Sequence, residues 1–256
     1  MRARALLTAV GLNAIPAFGW FVDDWSAGTT LVLYWLETLL GSLLLGGRIL
    51  LHRRLRSSRG HWSYQAPQKE TPPANSRSSY LSAFLVPALV FSFAHGVFLV
   101  ALGGMMIARK LSPETTVNVH DLFLGLAGIA AFQVVDFLFD LVWLKDRPFA
   151  WIERLGQQTL SRVIVIHFTI IGGMAAVMFT GANRDFFGVF IFLKTMLNCS
   201  LALPQWQPQT PPAWLAHAMD RIGSPKYKNT GFAEFWKQTD DQEAARLARN
   251  EEPLPR

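Results

Sequence analysis

Apolar residues in this chain come in long blocks separated by polar stretches, and that blocking constrains the fold more than any other feature. The block from Gly28 to Leu51 reads GTTLVLYWLETLLGSLLLGGRILL, and the block from Tyr80 to Ala108 contains Pro87 but no Asp, Glu, Lys or Arg. A hydrocarbon core about 30 Å thick is crossed by a helix of about 20 apolar residues. A soluble core instead asks for apolar residues at helical or strand periodicity. Six blocks meet the membrane requirement, at about 6–22, 28–51, 80–108, 119–144, 159–179 and 186–203. The expected fold is all-α: a polytopic, multi-pass integral membrane bundle of six transmembrane helices. Pro87 is acceptable inside such a helix because neighbouring helices satisfy the carbonyl it frees.

The composition agrees, with 51% hydrophobic and only 16% charged residues. The net charge of +6 does not describe a nucleic-acid surface, because the basic residues lie between the apolar blocks. Arg2 and Arg4, the run from Arg48 to Arg77, and Lys145, Arg147, Arg154 and Arg162 fall on one side of the expected spans. Asp23, Asp24, Arg109, Lys110 and Arg184 fall on the other. The positive-inside rule then places both termini in the cytoplasm, an N-in/C-in arrangement that an even span count requires. Block 6–22 also fits a signal peptide, whose cleavage would leave five spans, but Trp20 and Phe21 and the poor cleavage pattern favour a retained span.

Residues 52–79 are rich in Pro, Ser, Gln and Arg and read as a disordered basic cytoplasmic loop. Residues 1–204 form the expected membrane domain and 205–256 a cytoplasmic amphipathic tail. In that tail Trp206 and Trp214 resemble interfacial anchors, and the stretch FAEFWKQTDDQEAARLARNEE reads as a helix lying on the membrane or on the end of the bundle, or docking a protein partner. The single cysteine, Cys199, excludes an intrachain disulfide.

A charge inside hydrocarbon is costly, so each ionisable residue within the blocks should face the bundle interior and have a partner. These residues are Glu37, His95, Asp136, Asp140, Arg162, His167 and Lys194. At about 1.5 Å of rise per residue, Glu37 and Lys194 both lie roughly 12 to 14 Å from the outer face and are expected to pair. His95 and His167 fall near mid-membrane. Asp140 is expected to pair with Arg162 near the cytoplasmic surface, with Asp136 one turn deeper. The glycines Gly46, Gly47, Gly125 and Gly128 mark close helix contacts.

Three functional classes remain open. Charges that neutralise one another would suit an accessory or scaffold subunit. His95, His167 and Glu37 are the candidate metal ligands of an intramembrane enzyme or cofactor protein, although no pair has the within-helix spacing of known carboxylate or zinc sites. A polar chain from Glu37 to Asp136 and Asp140 would suit a proton-coupled carrier. No catalytic residue and no cofactor is named by the sequence, and the expected partners are the lipid bilayer and a protein met through the tail, with no nucleic acid.

The segment Tyr34-Trp35-Leu36-Glu37 resembles the opening of an early span in a bacterial membrane-protein family classed as a domain of unknown function. His95-Gly96-Val97-Phe98 and the stretch from Arg162 to His167 are similar to that family's third and fifth spans. The resemblance covers roughly residues 5 to 200. It implies a six-helix fold in the bacterial inner membrane and one shared site for Glu37, His95, Arg162, His167 and Lys194. It carries no catalytic role, and Asp136 and Asp140 match no pattern of the family.

Overall fold

The structure, a computed structural model of the whole chain, describes residues 2–67, 78–108, 116–180, 183–203, 208–224 and 230–254. For several helical stretches, among them 165–180 and 183–187, the description is of the backbone alone. Among the described residues eight α-helices follow one another: α1 Arg2–Phe21, α2 Ala27–Leu55, α3 Tyr80–Ala108, α4 Val119–Trp143, α5 Phe149–Thr180, α6 Asn183–Ala202, α7 Ala213–Ile222 and α8 Phe232–Glu251. Short 3-10 turns stand at Arg59–His61 and Leu144–Asp146. The described residues contain no strand, only one isolated bridge between Ser58 and Pro253.

Local chemistry sets the helix ends. Ser26 caps α2 by accepting from the Thr29 backbone N–H, and Asn118 caps α4 by accepting from the N–H groups of His120 and Asp121; both side chains satisfy donors that a helix start leaves open. At the end of α7, Gly223 takes a left-handed conformation at φ 65°, which a residue with a Cβ adopts at a cost.

Helix α2 is the hub, packed against α3, α4 and α5, while α1 lies against α4 and α6. At one end of the bundle the α1–α2 turn meets the start of α4: Ser26 Oγ donates to Thr116 O, and the Asn118 N–H donates to Thr29 Oγ1 at 2.9 Å. Near the opposite end Leu45, Ile49, Tyr80, Phe84, Leu144, Phe149 and Ile152 belong to one buried apolar cluster. Helices approach closely where glycine allows it. A Cβ at Gly46 would stand 2.5 Å from Leu85 Cδ1, so a larger residue requires the Leu85 side chain to move.

Among the described residues three helices are long and apolar enough to cross a membrane: Ala27–Leu55, Tyr80–Ala101 and Val119–Asp146. Shorter apolar helices cover Leu6–Phe21 and Gly188–Leu201. The outward faces of α3 and α4 carry Val86, Val90, Phe93, Val97 and Val100, and Phe123, Val135, Leu138, Phe139 and Val142, all exposed. So large a bare apolar surface is a lipid-facing one, and it marks the chain as a membrane protein.

Two boundaries differ from the sequence expectation, and both differences move charges. Helix α2 continues to Leu55, so Arg48 stands within it, more than a turn from its end. Helix α5 begins at Phe149, well before residue 159. The loop expected to be disordered over 52–79 has regular structure through its first part: α2, the Arg59–His61 turn and the following chain to residue 67 are packed against α8 and α5. The amphipathic α8 supplies the surface that this polar stretch lacks by itself. The middle of that loop, 68–77, lies outside the described residues.

Candidate buried polar site

Among the described residues, two clusters of ion pairs join α1, α2, α4 and α6. In the first, Lys194 on α6 donates to Glu37 Oε1 at 3.0 Å, to Glu37 Oε2 at 2.9 Å and to Asn13 Oδ1 on α1 at 3.1 Å. All three ammonium donors are thereby used. The charge also stands 4.3 Å from the centre of the Tyr34 ring, one helical turn before Glu37, a cation–π contact. Tyr34 is held in turn by an edge-on contact with Phe190 of α6. The pair is almost wholly withdrawn from the surface, with side-chain exposures of 2% for Lys194 and 11% for Glu37.

In the second cluster Arg48 reaches from α2 to α4, with Nη2 3.1 Å from Asp136 Oδ2 and Nε 3.0 Å from Asp140 Oδ2. One guanidinium thus holds two carboxylates a helical turn apart, and its Cζ stands 5.2 Å from the centre of the Phe137 ring. This corrects the expected Asp140–Arg162 pairing. Because α5 starts at Phe149, Arg162 is roughly 20 Å along that helix instead of near its base. Arg48, which the sequence grouped with the basic run after α2, sits at the level of Asp140 and takes its place.

Arg162 faces the same interior, where Glu37 and Asp136 are the carboxylates that act on its charge. Gln133, on α4, donates to Glu37 O at 3.1 Å and ties the two clusters together. His95 is buried on α3, where Trp35 Nε1 donates to Ser92 O at 2.8 Å. The His167 side chain lies outside the described residues. Among those described, no three His, Cys, Asp or Glu residues converge as metal ligands.

A third polar network, at the end of the bundle where α2 and α5 begin to meet α8, was not singled out by the sequence. Arg246 of α8 donates Nη1 to Glu153 Oε1 of α5 at 2.7 Å, and Tyr64 Oη donates to the same oxygen at 2.6 Å. Both members of the Arg246–Glu153 pair are buried. Burial works against the Arg246 charge, but its bonds to Glu243 and Glu153 hold the pKa above the ordinary value. Burial also pushes the Tyr64 phenol up, aided by its bond to Glu153, so it remains a donor. Beside this network His52 Nδ1 and His61 Nε2 are 2.7 Å apart, and His52 Nε2 is 2.9 Å from Arg147 O. Burial lowers the His61 pKa to about 3, with His52 and Arg53 contributing in the same direction, so its ring is neutral. The tail is further fixed by Glu251, which accepts from the Phe149 N–H at 2.6 Å and pairs with Arg56. The only sequence signal of this docking is the change in α8 from aromatic to charged residues.

The polar interior described above can be set beside known proteins. The model of a family of unknown function, DUF6498, fits residues 1–222. The chain belongs to that family. Within this DUF6498 protein the match takes in Glu37, Lys194, Arg48, Asp136, Asp140 and Arg162, and it extends through α7; α8 and its Arg246 lie beyond it. No curated protein matches, and no solved structure matches.

Proposed function

We propose that this protein is a non-enzymatic accessory or scaffold subunit of the bacterial inner membrane. In this reading α1 to α6 are six spans with both termini in the cytoplasm, residues 1–204 form the membrane domain, and the tail from 205 closes its cytoplasmic end. The outward, charged side of α8 would be the face that meets a protein partner. One observation carries the reading: the interior carboxylates Glu37, Asp136 and Asp140 each stand against a cation from another helix. Such pairs fix which helices adjoin and at what register, and they engage all three of these carboxylates in holding helices together.

The test is a double-mutant cycle on the deepest pair. Glu37→Gln and Lys194→Met each strand a buried charge, and each should cost about 3–5 kcal/mol of stability, as broken buried pairs do. The double variant removes both charges and should recover most of that loss, measured by unfolding in detergent and by the amount of folded protein in the membrane. If the double variant is as damaged as the worse single, the charges have work beyond holding the bundle together and the scaffold reading fails.

A further inference from the structure

The helices around α2 leave one strip of it uncovered. Among the described residues α3 and α4 both pack along α2, yet not along each other. Gly46 of α2 meets Leu85 of α3, and Gly47 meets Phe137 of α4. At about 3.6 residues per turn, Leu43 and Leu50 point between these two directions, about 40–60° from Gly46 on one side and from Gly47 on the other. Their exposure agrees, at 50% for Leu43 and 38% for Leu50, although α2 is the hub of the bundle. The strip is therefore the floor of a slot whose walls are α3 and α4. Glu37 and Arg48 lie on the other side of α2, so the slot is separate from the ion pairs.

Arg54 continues the strip, one turn beyond Leu50. It is exposed and has no ion-pair partner among the described residues. Its basic neighbours are engaged: Arg53 lies over the Trp62 ring at 4.6 Å, Arg56 pairs with Glu251 and Arg59 with Glu252. Trp62 and Trp143 are both exposed at this end of the bundle, as tryptophans at a membrane boundary are. From Arg54 back to Leu43 is about 16 Å of helix, close to one leaflet of a hydrocarbon core about 30 Å thick.

The slot is continuous with the exposed apolar faces of α3 and α4, which are lipid-facing. A second copy of the chain would bring its own Arg2, Arg4, Arg53 and Lys145 to the same end and meet Arg54 with like charge. A lipid phosphate meets it with the opposite charge. We propose that the slot between α3 and α4 holds one anionic phospholipid, its acyl chain along Leu50 and Leu43 and its phosphate on Arg54. The site goes beyond the scaffold reading, because it uses none of the residues that pair the helices.

Native mass spectrometry tests it, with the full chain in detergent titrated with phosphatidylglycerol and, separately, with phosphatidylcholine of the same acyl chains. The first phosphatidylglycerol should bind about fivefold more tightly than the first phosphatidylcholine, the equivalent of about 1 kcal/mol for one cation at headgroup level. Arg54→Gln should erase that preference, whereas Lys237→Gln, at an exposed cation of α8, should keep it. Leu43→Trp and Leu50→Trp fill the slot and should each weaken the first binding step for both lipids. Val135→Trp, on the exposed face of α4 away from Phe137, should not. Equal binding of the two lipids by the wild-type chain overturns the proposal. So does a preference that survives Arg54→Gln or is lost equally in Lys237→Gln, and so does a first step that neither slot tryptophan weakens. A wild-type dimer that Leu50→Trp abolishes would give the slot to a second copy and overturn the lipid assignment. If the slot tryptophan variants do not fold, the wild-type and Arg54→Gln titrations decide, since Arg54 is an exposed position. These readouts are lipid affinities, so their failure is distinct from a failure of the stability cycle on Glu37 and Lys194.

Discussion

Arg48 uses two different nitrogens for two carboxylates, Nη2 for Asp136 and Nε for Asp140. A lysine offers a single compact charge and cannot reproduce that fork. Arg48→Lys is therefore expected to retain the fold but lose about 1–3 kcal/mol, while Arg48→Ala strands two like charges a turn apart and should cost about 3–5 kcal/mol. Adding Asp136→Asn and Asp140→Asn to Arg48→Ala should return most of the loss, which unfolding in detergent will register. The same residues show how far single-residue reasoning reaches. Glu37 and Lys194 could be brought together from depth alone, because helical rise converts sequence position into height. Arg48 could not, since it opens a basic run that reads as a topology signal, and nothing in composition separates its first member from the exposed ones that follow. Arg162 was misplaced for a related reason: polar residues such as Glu153, Gln157 and Gln158 hide the first turns of α5 from any hydropathy argument.

Helix α8 and the polar chain after α2 become ordered by each other. Their contacts join residues far apart in sequence, Tyr64 and Arg246 through Glu153 and the Arg59 N–H to Glu252 O at 2.7 Å, and no local pattern announces such pairings. What the sequence offered was amphipathicity in α8, enough to expect a docked helix and not enough to say on what. The element is also the pH-sensitive one. His61 is neutral in the fold, facing His52 at 2.7 Å, the edge-on Phe149 ring at 5.0 Å and the charge of Arg53, and its pKa of about 3 lies below the ordinary 6.5. The unfolded chain therefore binds more protons at this residue. Its contribution to stability is complete above about pH 6.5 and is lost as pH falls toward about 3. Spin labels at Ser63 and Gln242 should report α8 separating from the loop over that window. In a His61→Gln chain, which cannot titrate there, release should shift to lower pH; an unchanged release curve would assign the sensitivity to another group.

For the whole molecule, the two ends are chemically unlike. One holds the α1–α2 turn against residues 116–118, joined by Ser26, Thr29 and Asn118. The other gathers the chain after α2, the α4–α5 turn and α8 into a charged cap, through the contact of His52 with Arg147 O and the bond from the Phe149 N–H to Glu251. The blocking of apolar residues made the helical membrane class legible because lipid demands it of every span, whereas the cap depends on contacts between distant segments and emerges only in three dimensions. Under the proposed six crossings that cap lies on the same side as the amino terminus, and the excess of arginine in it argues for the cytoplasm. Single cysteines in a Cys199→Ser background test this directly. A membrane-impermeant maleimide applied to intact cells with a permeable outer layer should label Val117→Cys at once. Ser63→Cys and Gln242→Cys, at opposite sides of the loop–tail contact, should react only after the membrane is opened. Labelling of Ser63→Cys together with Val117→Cys in intact cells would mean that α3 does not cross, and labelling of Gln242→Cys alone would mean an odd number of crossings between the loop and the tail. Either result would overturn six spans with both termini inside while leaving the interior ion pairs as they are.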